Sequence, residues 1–243
     1  MSSTSTPPHR HARPLELVAT PRGPYWLPQG IDSDVVVNAM RRGELFEPEI
    51  VAAGLARIRP GTLVLDVGAC FGQMAIEFAR ATGPRGMVLA FEADEWLHDV
   101  LRMNLSANGC TNARAVHAAV WERSGTQVVY PEPDFTRFGS YGSYGIDPRA
   151  REGRRVRTLA IDDLAITAPV SFLKIDVQGS DLFALRGARQ TILRHRMPVL
   201  FEFEEQFQAE FGTCWADYAR LLDELGYRVV ETIGGINHLA LPA

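Results

Sequence analysis

From Leu63 onward the hydrophobic residues alternate between two textures. Short apolar runs such as Leu63-Val64-Leu65-Asp66-Val67 read as strands buried on both faces. Between them lie longer stretches in which apolar residues return every three or four positions, the spacing of an amphipathic helix. Strands are predicted over 63–67, 87–91, 113–117, 170–175, 198–203, 227–231 and 236–241, and helices over 73–81, 95–107, 181–195 and 216–225. Such alternation predicts an α/β fold: a mostly parallel sheet with helices on both faces. The last two strands, separated by about four residues around Gly234-Gly235, predict a C-terminal antiparallel hairpin at the sheet edge.

Ahead of this the pattern loosens. Helices are predicted over 34–42 and 48–57, the second opening on Pro48, whose missing N–H costs nothing in a first turn. Residues 15–30 carry Pro21, Pro24 and Pro28 around Tyr25 and Trp26, which predicts an irregular arm. That arm either closes over the site or packs against a second subunit of a homodimer. Residues 1–14 form a loose tail containing His9 and His11, with no apolar signal core. The chain thus divides into an N-terminal part, 1–60, and a domain, 61–243. One stretch, 130–157, breaks the alternation: it is long, rich in Gly and Pro, and contains Tyr141-Gly142-Ser143-Tyr144-Gly145. Loops of this kind are commonly functional.

Composition narrows the partners. A chain of 243 residues can bury a substantial core. Its formal charge of −4 argues against a general nucleic-acid binder, which needs clustered Lys and Arg. Cys70, Cys110 and Cys214 lie far apart, giving neither a disulfide framework nor metal-ligand spacing. No apolar run approaches the roughly 18 residues that span a bilayer. The expectation is a cytoplasmic protein with no nucleic acid, membrane or metal among its partners.

The first strand of the domain closes on Asp66-Val67-Gly68-Ala69-Cys70-Phe71-Gly72. Glycine at 68 permits a sharp turn and close approach of a ligand, and Gly72 opens a helix whose free N–H groups face that ligand. A dinucleotide fingerprint reads G-x-G-x-x-G. Here the spacing is D-x-G-x-x-x-G with a carboxylate first, which favours a ligand bearing an amino group and a sulfonium over a diphosphate. Glu92 closes the next strand, 20 positions after Gly72. A carboxylate there accepts two hydrogen bonds from a ribose diol, each worth roughly 1.5–3 kcal/mol. The blander alternative is that Asp66 and Glu92 only cap helices. Ala118-Ala119-Val120, after the third strand, supplies small residues suited to an adenine.

The blocks V-L-D-V-G-A-x-x-G, A-F-E-A, R-M-N-L-S-A-N-G, A-A-V and F-L-K-I-D-V-Q-G-S-D followed by L-R-G-A-R resemble the FkbM family of methyltransferases. The resemblance runs from about Phe46-Glu47-Pro48-Glu49 to Phe201-Glu202. It implies a Rossmann-like seven-stranded methyltransferase fold and S-adenosylmethionine as cofactor. The implied reaction is O-methylation of a sugar, glycan or polyketide-type hydroxyl. It further implies that Asp66, Gly68 and Glu92 contact the cofactor and that Asp176 lies near the transferred methyl. Glu47, Ala69, Gly72, Ala93 and Ala119, within or beside the same blocks, join the expected cofactor contacts. Two departures stand out: Gln178 replaces a usual Glu, and Ser180-Asp181 replaces Ala-Glu. A neutral amide at 178 can serve neither as a base nor as a strong metal ligand.

In a doubly wound sheet, ligands sit beyond the carboxyl ends of the strands. This gathers Asp66, Glu92, His117, Asp176 and Glu202 along one rim. Asp176 is the expected base. Lys174, two residues earlier and on the same sheet face, pairs with it or steadies a developing alkoxide, and Glu202 and Glu204 are the second candidates. Of the histidines, His117 falls near the cofactor and His238 toward the acceptor, whereas His98 suits packing and His195 falls at the wrong sheet edge. The Tyr141 to Gly145 stretch suits stacking on a sugar ring. Arg149, Arg151, Arg154, Arg155 and Arg157 suit a phosphate on the acceptor. Two other readings stay open: an NAD(P)-dependent oxidoreductase on the same sheet, and a methyltransferase-like binding module without activity.

Overall fold

A computed structural model describes residues 12–132, 135 and 139–243. Most of the expected tail, His9 and His11 included, lies outside the described residues. The chain opens with β1 (Leu15–Thr20) and β2 (Gly23–Pro28), an antiparallel hairpin in place of the irregular arm expected there. Prolines fit because a two-stranded ribbon has outward N–H positions that need no ladder partner. Gly23 takes φ 126° at the turn, and the Thr20 hydroxyl closes it by donating to the Gly23 carbonyl and accepting from the Arg22 N–H. Helices α1 (Val35–Arg41) and α2 (Pro48–Leu55) follow.

The alternation then unfolds as β3 (Leu63–Val67), α3 (Gln73–Thr82), β4 (Met87–Glu92), α4 (Glu95–Ala107) and β5 (Ala113–His117). Three short strands, β6 (Ala119–Val120), β7 (Gln127–Tyr130) and β8 (Arg154–Leu159), make a side sheet in the order β6-β8-β7. Next come β9 (Val170–Ile175), α5 (Asp181–Gly187), α6 (Arg189–His195) and β10 (Val199–Glu202). Helices α7 (Glu205–Phe211) and α8 (Trp215–Leu225) and strands β11 (Tyr227–Ile233) and β12 (Asn237–Pro242) complete the chain.

The main sheet has seven strands in the order β11-β12-β10-β9-β3-β4-β5. Its pairings from β10 through β5 are parallel, and β12 runs antiparallel to both β10 and β11. The C-terminal hairpin is therefore present, but its antiparallel strand slots inside the sheet and leaves β11 at the edge. From β3 the connections lead one way to β4 and β5 and the other way to β9 and β10. That divergence opens a crevice at the strand ends where α/β proteins bind ligands.

Strand alternation sorts the core. Leu63, Leu65 and Val67 join Leu173 and Ile175 beneath Leu182, Ile192 and Tyr218 from α5, α6 and α8. Val64 and Phe172 face the other side, among Ile76 and Phe78 of α3 and Val100 of α4. Tyr25 and Leu27 of β2 and Val37 and Met40 of α1 belong to that second core, so the N-terminal segment packs onto the sheet itself.

The helix expected over 181–195 breaks at Ala188 into α5 and α6. Asp162 explains the restart, because its carboxylate accepts from the Gln190 and Thr191 N–H groups and caps the second helix. The expected loop over 130–157 gives up its end to β8. There Val156 and Thr158 are buried and Arg155 and Arg157 exposed, a strand alternation masked by the run of arginines.

One side chain fastens the N-terminal hairpin to the loop after β3. Asn104 of α4 is fully buried; it accepts from the Trp26 N–H (2.6 Å) and donates to the carbonyls of Phe71 (2.9 Å) and Trp26 (3.2 Å). Asn104→Ala strands these groups without partners, each costing about 1–3 kcal/mol. Urea unfolding should show a loss of about 3 kcal/mol, and a loss below about 1 kcal/mol would contradict the fastening role.

Candidate active site

Parallel pairing of β3 with β9 sets Asp66 directly opposite Lys174. Lys174 is 3% exposed, with its ammonium 2.9 Å from the Gly68 carbonyl, 3.3 Å from Asp176 Oδ2 and 3.6 Å from Asp66 Oδ1. Burial opposes the charge, yet Asp176, Asp66 and Glu47 outweigh it and hold the ammonium protonated, above the ordinary lysine range. Asp66 is wholly buried, and neither of its carboxylate oxygens has a hydrogen-bond partner among the described residues. Burial pushes it up to about 6 against the pull of Lys174. Gly68 turns the chain at φ 80°; a Cβ there would stand 1.8 Å from the Asp176 carbonyl oxygen, so the two loops can meet only at glycine.

Glu92 ends β4 with both carboxylate oxygens engaged. Oε2 accepts from the Cys70 N–H (2.8 Å) and Oε1 from the Asp94 N–H (2.9 Å). Each oxygen keeps a second lone pair, and burial pushes the group up to about 7 despite these bonds. Gln73, at the start of α3, donates to the Glu44 carbonyl and accepts from the Phe46 N–H, which ties down the approach to Glu47. Glu47 adopts φ 49° ahead of α2. Burial, with Asp176 nearby, lifts it to about 7 against Lys174.

These elements enclose a cavity of about 260 Å³ at the carboxyl rim of the sheet. Asp66, Gly68, Ala69, Glu92, Ala93 and Ala119 line it, as do Glu47, Lys174, Asp176, Glu202 and Glu204. Gly72 stands outside the wall; its Cα faces α4, where an added Cβ would meet Leu101 at 2.5 Å. His117 also lies off the wall, with Nε2 3.0 Å from the Ala93 carbonyl and its ring beside His98. His238 does not reach the cavity. It packs among Phe201, Phe203 and Trp215, with Nδ1 3.0 Å from the Thr232 hydroxyl. His195 sits at the end of α6, Nε2 3.2 Å from the Ile166 carbonyl.

The loop residues take unexpected places. Tyr141 is 1% exposed and packs on Phe71 and Trp96, so its ring is part of the wall. Its N–H donates to Asp34 Oδ2 (2.7 Å), and Asp34 Oδ1 caps α1 through the Val37 N–H (2.9 Å). Arg154 pairs with Asp94 and Glu132 and lies over the Tyr130 ring, and Arg149 donates to the Ala209 carbonyl. Neither they nor Arg151, Arg155 and Arg157 line the cavity. Positions 133–134 and 136–138 of the expected acceptor loop fall outside the described residues.

At the far end, Gln178 donates from Nε2 to Asp176 Oδ1 and to Glu202 Oε2, both at 3.0 Å. Burial first, then Asp176 and Asp181, push Glu202 well above the usual carboxylate range. The Glu202 N–H donates to Asp181 Oδ1, while Asp181 Oδ2 is buried without a hydrogen-bond partner among the described residues. Among the described residues, no group of three or more His, Cys, Asp or Glu side chains is placed to hold a metal ion, and no helix is long and apolar enough to cross a membrane. The arrangement suits a ligand with a positive centre and hydroxyl donors, beside an ionisable carboxylate.

Sequence reasoning missed Asp34, Gln73 and the Gln178 bridge. Asp34 had a readable signal, since Asp before an apolar-periodic stretch is a helix cap. Nothing local marks the long-range bonds of Gln73.

The Methyltransferase FkbM domain matches this chain over residues 66–229. Solved structures with similar folds include the methyltransferase FkbM from Methylobacillus flagellatus KT, 19% identical over 85% of this chain and 52% of its own, with a TM-score of 0.48. This chain thus spans about half the length of that protein. Others are a SAM dependent methyltransferase from Aquifex aeolicus (15% identity, 82% and 90% covered, TM-score 0.41) and the O-methyltransferase from Bacillus cereus in complex with SAH (14%, 82% and 83%, TM-score 0.47). No curated protein matches the chain.

The raised ionisation of Asp66 has a thermodynamic consequence. A carboxyl at 3.8 unfolded and about 6 folded adds stability below pH 4 that is lost as pH rises through 6. Asp66→Asn has no such loss. Between pH 4 and 7, urea unfolding of the ligand-free proteins should move the stability gap toward the variant by up to about 3 kcal/mol. A gap that stays constant with pH would contradict the burial cost assigned to Asp66.

Proposed function

The chain belongs to the FkbM family of methyltransferases, and from that premise we propose that it methylates a hydroxyl oxygen of a sugar, glycan or polyketide-type molecule. Its cofactor is S-adenosylmethionine. The observation that carries the reading is Asp66: a buried carboxylate 3.6 Å from the Lys174 ammonium, whose two oxygens find no hydrogen-bond donor among the described residues, in the wall of a cavity. Buried polar atoms in native proteins are almost always satisfied. A cationic ligand with N–H donors answers that need, and the acidic wall suits a sulfonium. Glu92, with a free lone pair on each oxygen, would accept from the ribose hydroxyls, and the small Ala118 and Ala119 leave room for the adenine.

When bound, S-adenosylmethionine supplies an electrophilic methyl whose bond to sulfur breaks as the acceptor oxygen attacks, the electron pair staying on sulfur to leave S-adenosylhomocysteine. The chain's part is to hold the acceptor oxygen in line, worth roughly 7–11 kcal/mol of the barrier, and to take its proton. Asp176 accepts that proton on its carboxylate. Lys174 fixes Asp176 from the sheet side and, tied to the Gly68 carbonyl, joins its position to that of the cofactor turn. Among the described residues, Glu47, Asp66, Glu92, Asp176, Glu202 and Glu204 line the cavity with Lys174 as the only cation. That balance favours a neutral polyol as acceptor over a phosphorylated one, and no arginine of the 149–157 stretch reaches the cavity to offset it.

Calorimetry with S-adenosylmethionine, S-adenosylhomocysteine and NAD tests the cofactor half. Micromolar binding of both sulfur ligands and none of NAD is expected; binding of NAD alone would return the chain to an oxidoreductase. Glu92→Ala should weaken both sulfur ligands about tenfold or more. Transfer of labelled methyl to a panel of neutral sugars and macrolide alcohols tests the acceptor half. Asp176→Asn should keep cofactor affinity yet lose about 10²–10⁴-fold in turnover, and equal losses in both would make Asp176 a binding residue only.

A further inference from the structure

Gln178 stands in the turn after β9 at φ 52°, a backbone state uncommon for side chains other than glycine, asparagine and aspartate. The neighbouring loop confines it, since a Cβ on Gly145 would approach the Gln178 Cβ to 2.9 Å. A glutamine amide has two N–H donors, and here Asp176 Oδ1 and Glu202 Oε2 each lie 3.0 Å from the one nitrogen. Two carboxyls that close resist double ionisation, and one of them takes a proton.

Resting on the reading of Asp176 as base, we propose that Gln178 is a positioning residue that clamps the Asp176 and Glu202 carboxyls into a single pair, with Asp176 held beside the Lys174 ammonium. Surroundings decide which member keeps the proton. Asp176 has the Lys174 ammonium 3.3 Å from its other oxygen. Glu202 is buried on β10 and, besides the Gln178 amide, is influenced by further acids: Asp181 from α5, Glu204 beyond its own strand and Glu47 from the approach to α2. Asp66 Oδ1 lies 3.6 Å from the same ammonium. An ionised glutamate at 178 would bring a second negative charge and no N–H, so the amide is what lets the two carboxyls share this space.

The test is a pH titration of side-chain carboxyl ¹³C signals in the full ligand-free chain, labelled at Asp and Glu. Asp176→Asn and Glu202→Gln assign the two signals. In the native chain the pair should titrate in two well-separated steps, with Glu202 carrying the higher one. Gln178→Met removes both donors at similar size. Gln178→Asn keeps a side chain tolerant of positive φ and withdraws the amide by one methylene. Either change should raise the lower step by about one unit, and Gln178→Glu should raise it further. A residue that merely filled space would leave these steps where they were. An unmoved lower step in the Asn or Met protein, or both carboxyls titrating together in the native chain, would overturn the inference. Full turnover in Asp176→Asn would instead overturn the base assignment while leaving the titration result intact, so the two failures are distinguishable.

Discussion

The Lys174 ammonium lies between β3 and β9 where the sheet's connections part, and most of the site depends on it. Sealing an ammonium away from water costs several kcal/mol unless opposite charge and hydrogen bonds surround it. Here the Gly68 carbonyl, Asp176 and Asp66 do so. The same ion makes the burial of Asp66 tolerable. Strand register fixes both partners, because Asp66 and Lys174 are paired residues of adjacent parallel strands. Gly68 then lets the turns beyond those strands close on each other. Among the described residues none donates a hydrogen bond to Asp66, which leaves both its oxygens open to a donor from a ligand.

The walls come from distant parts of the chain, joined by buried polar side chains. Asp34 ties α1 to Tyr141, Gln73 ties α3 to the approach of Glu47, and Asn104 ties α4 to both the N-terminal hairpin and the loop after β3. Each satisfies backbone groups that would otherwise be buried unpaired. Cavity shape is therefore coupled to the fold of residues 15–55, whose apolar side chains share the core beneath α3 and α4.

Much of this was legible in the residue pattern. The strands at 113–117 and 170–175 and the helix at 95–107 match residue for residue, because their hydrophobic spacing and their flanking caps agree. Asp66, Gly68 and Glu92 were readable because a carboxylate or glycine at the end of an apolar strand has few structural reasons to be there. The hairpin at 15–28 was obscured because proline is a breaker in a central strand but not in a two-stranded ribbon. Gly72 looked like a ligand contact by spacing, yet its missing side chain makes room for Leu101. The arginines of 149–157 looked like a phosphate site until strand alternation in β8 turned Arg155 and Arg157 to solvent and Asp94 captured Arg154. The Gln178 bridge was beyond reach, since it needs β9 and β10 side by side to bring Asp176 and Glu202 together.

The most direct test of the central claim is a crystal structure of the protein with S-adenosylhomocysteine. The ribose hydroxyls should lie on the Glu92 carboxylate, the amino group within reach of Asp66, and the sulfur on the side of the cavity that holds Asp176. An adenosine bound elsewhere, or Asp66 still without a hydrogen-bond partner in the complex, would contradict it.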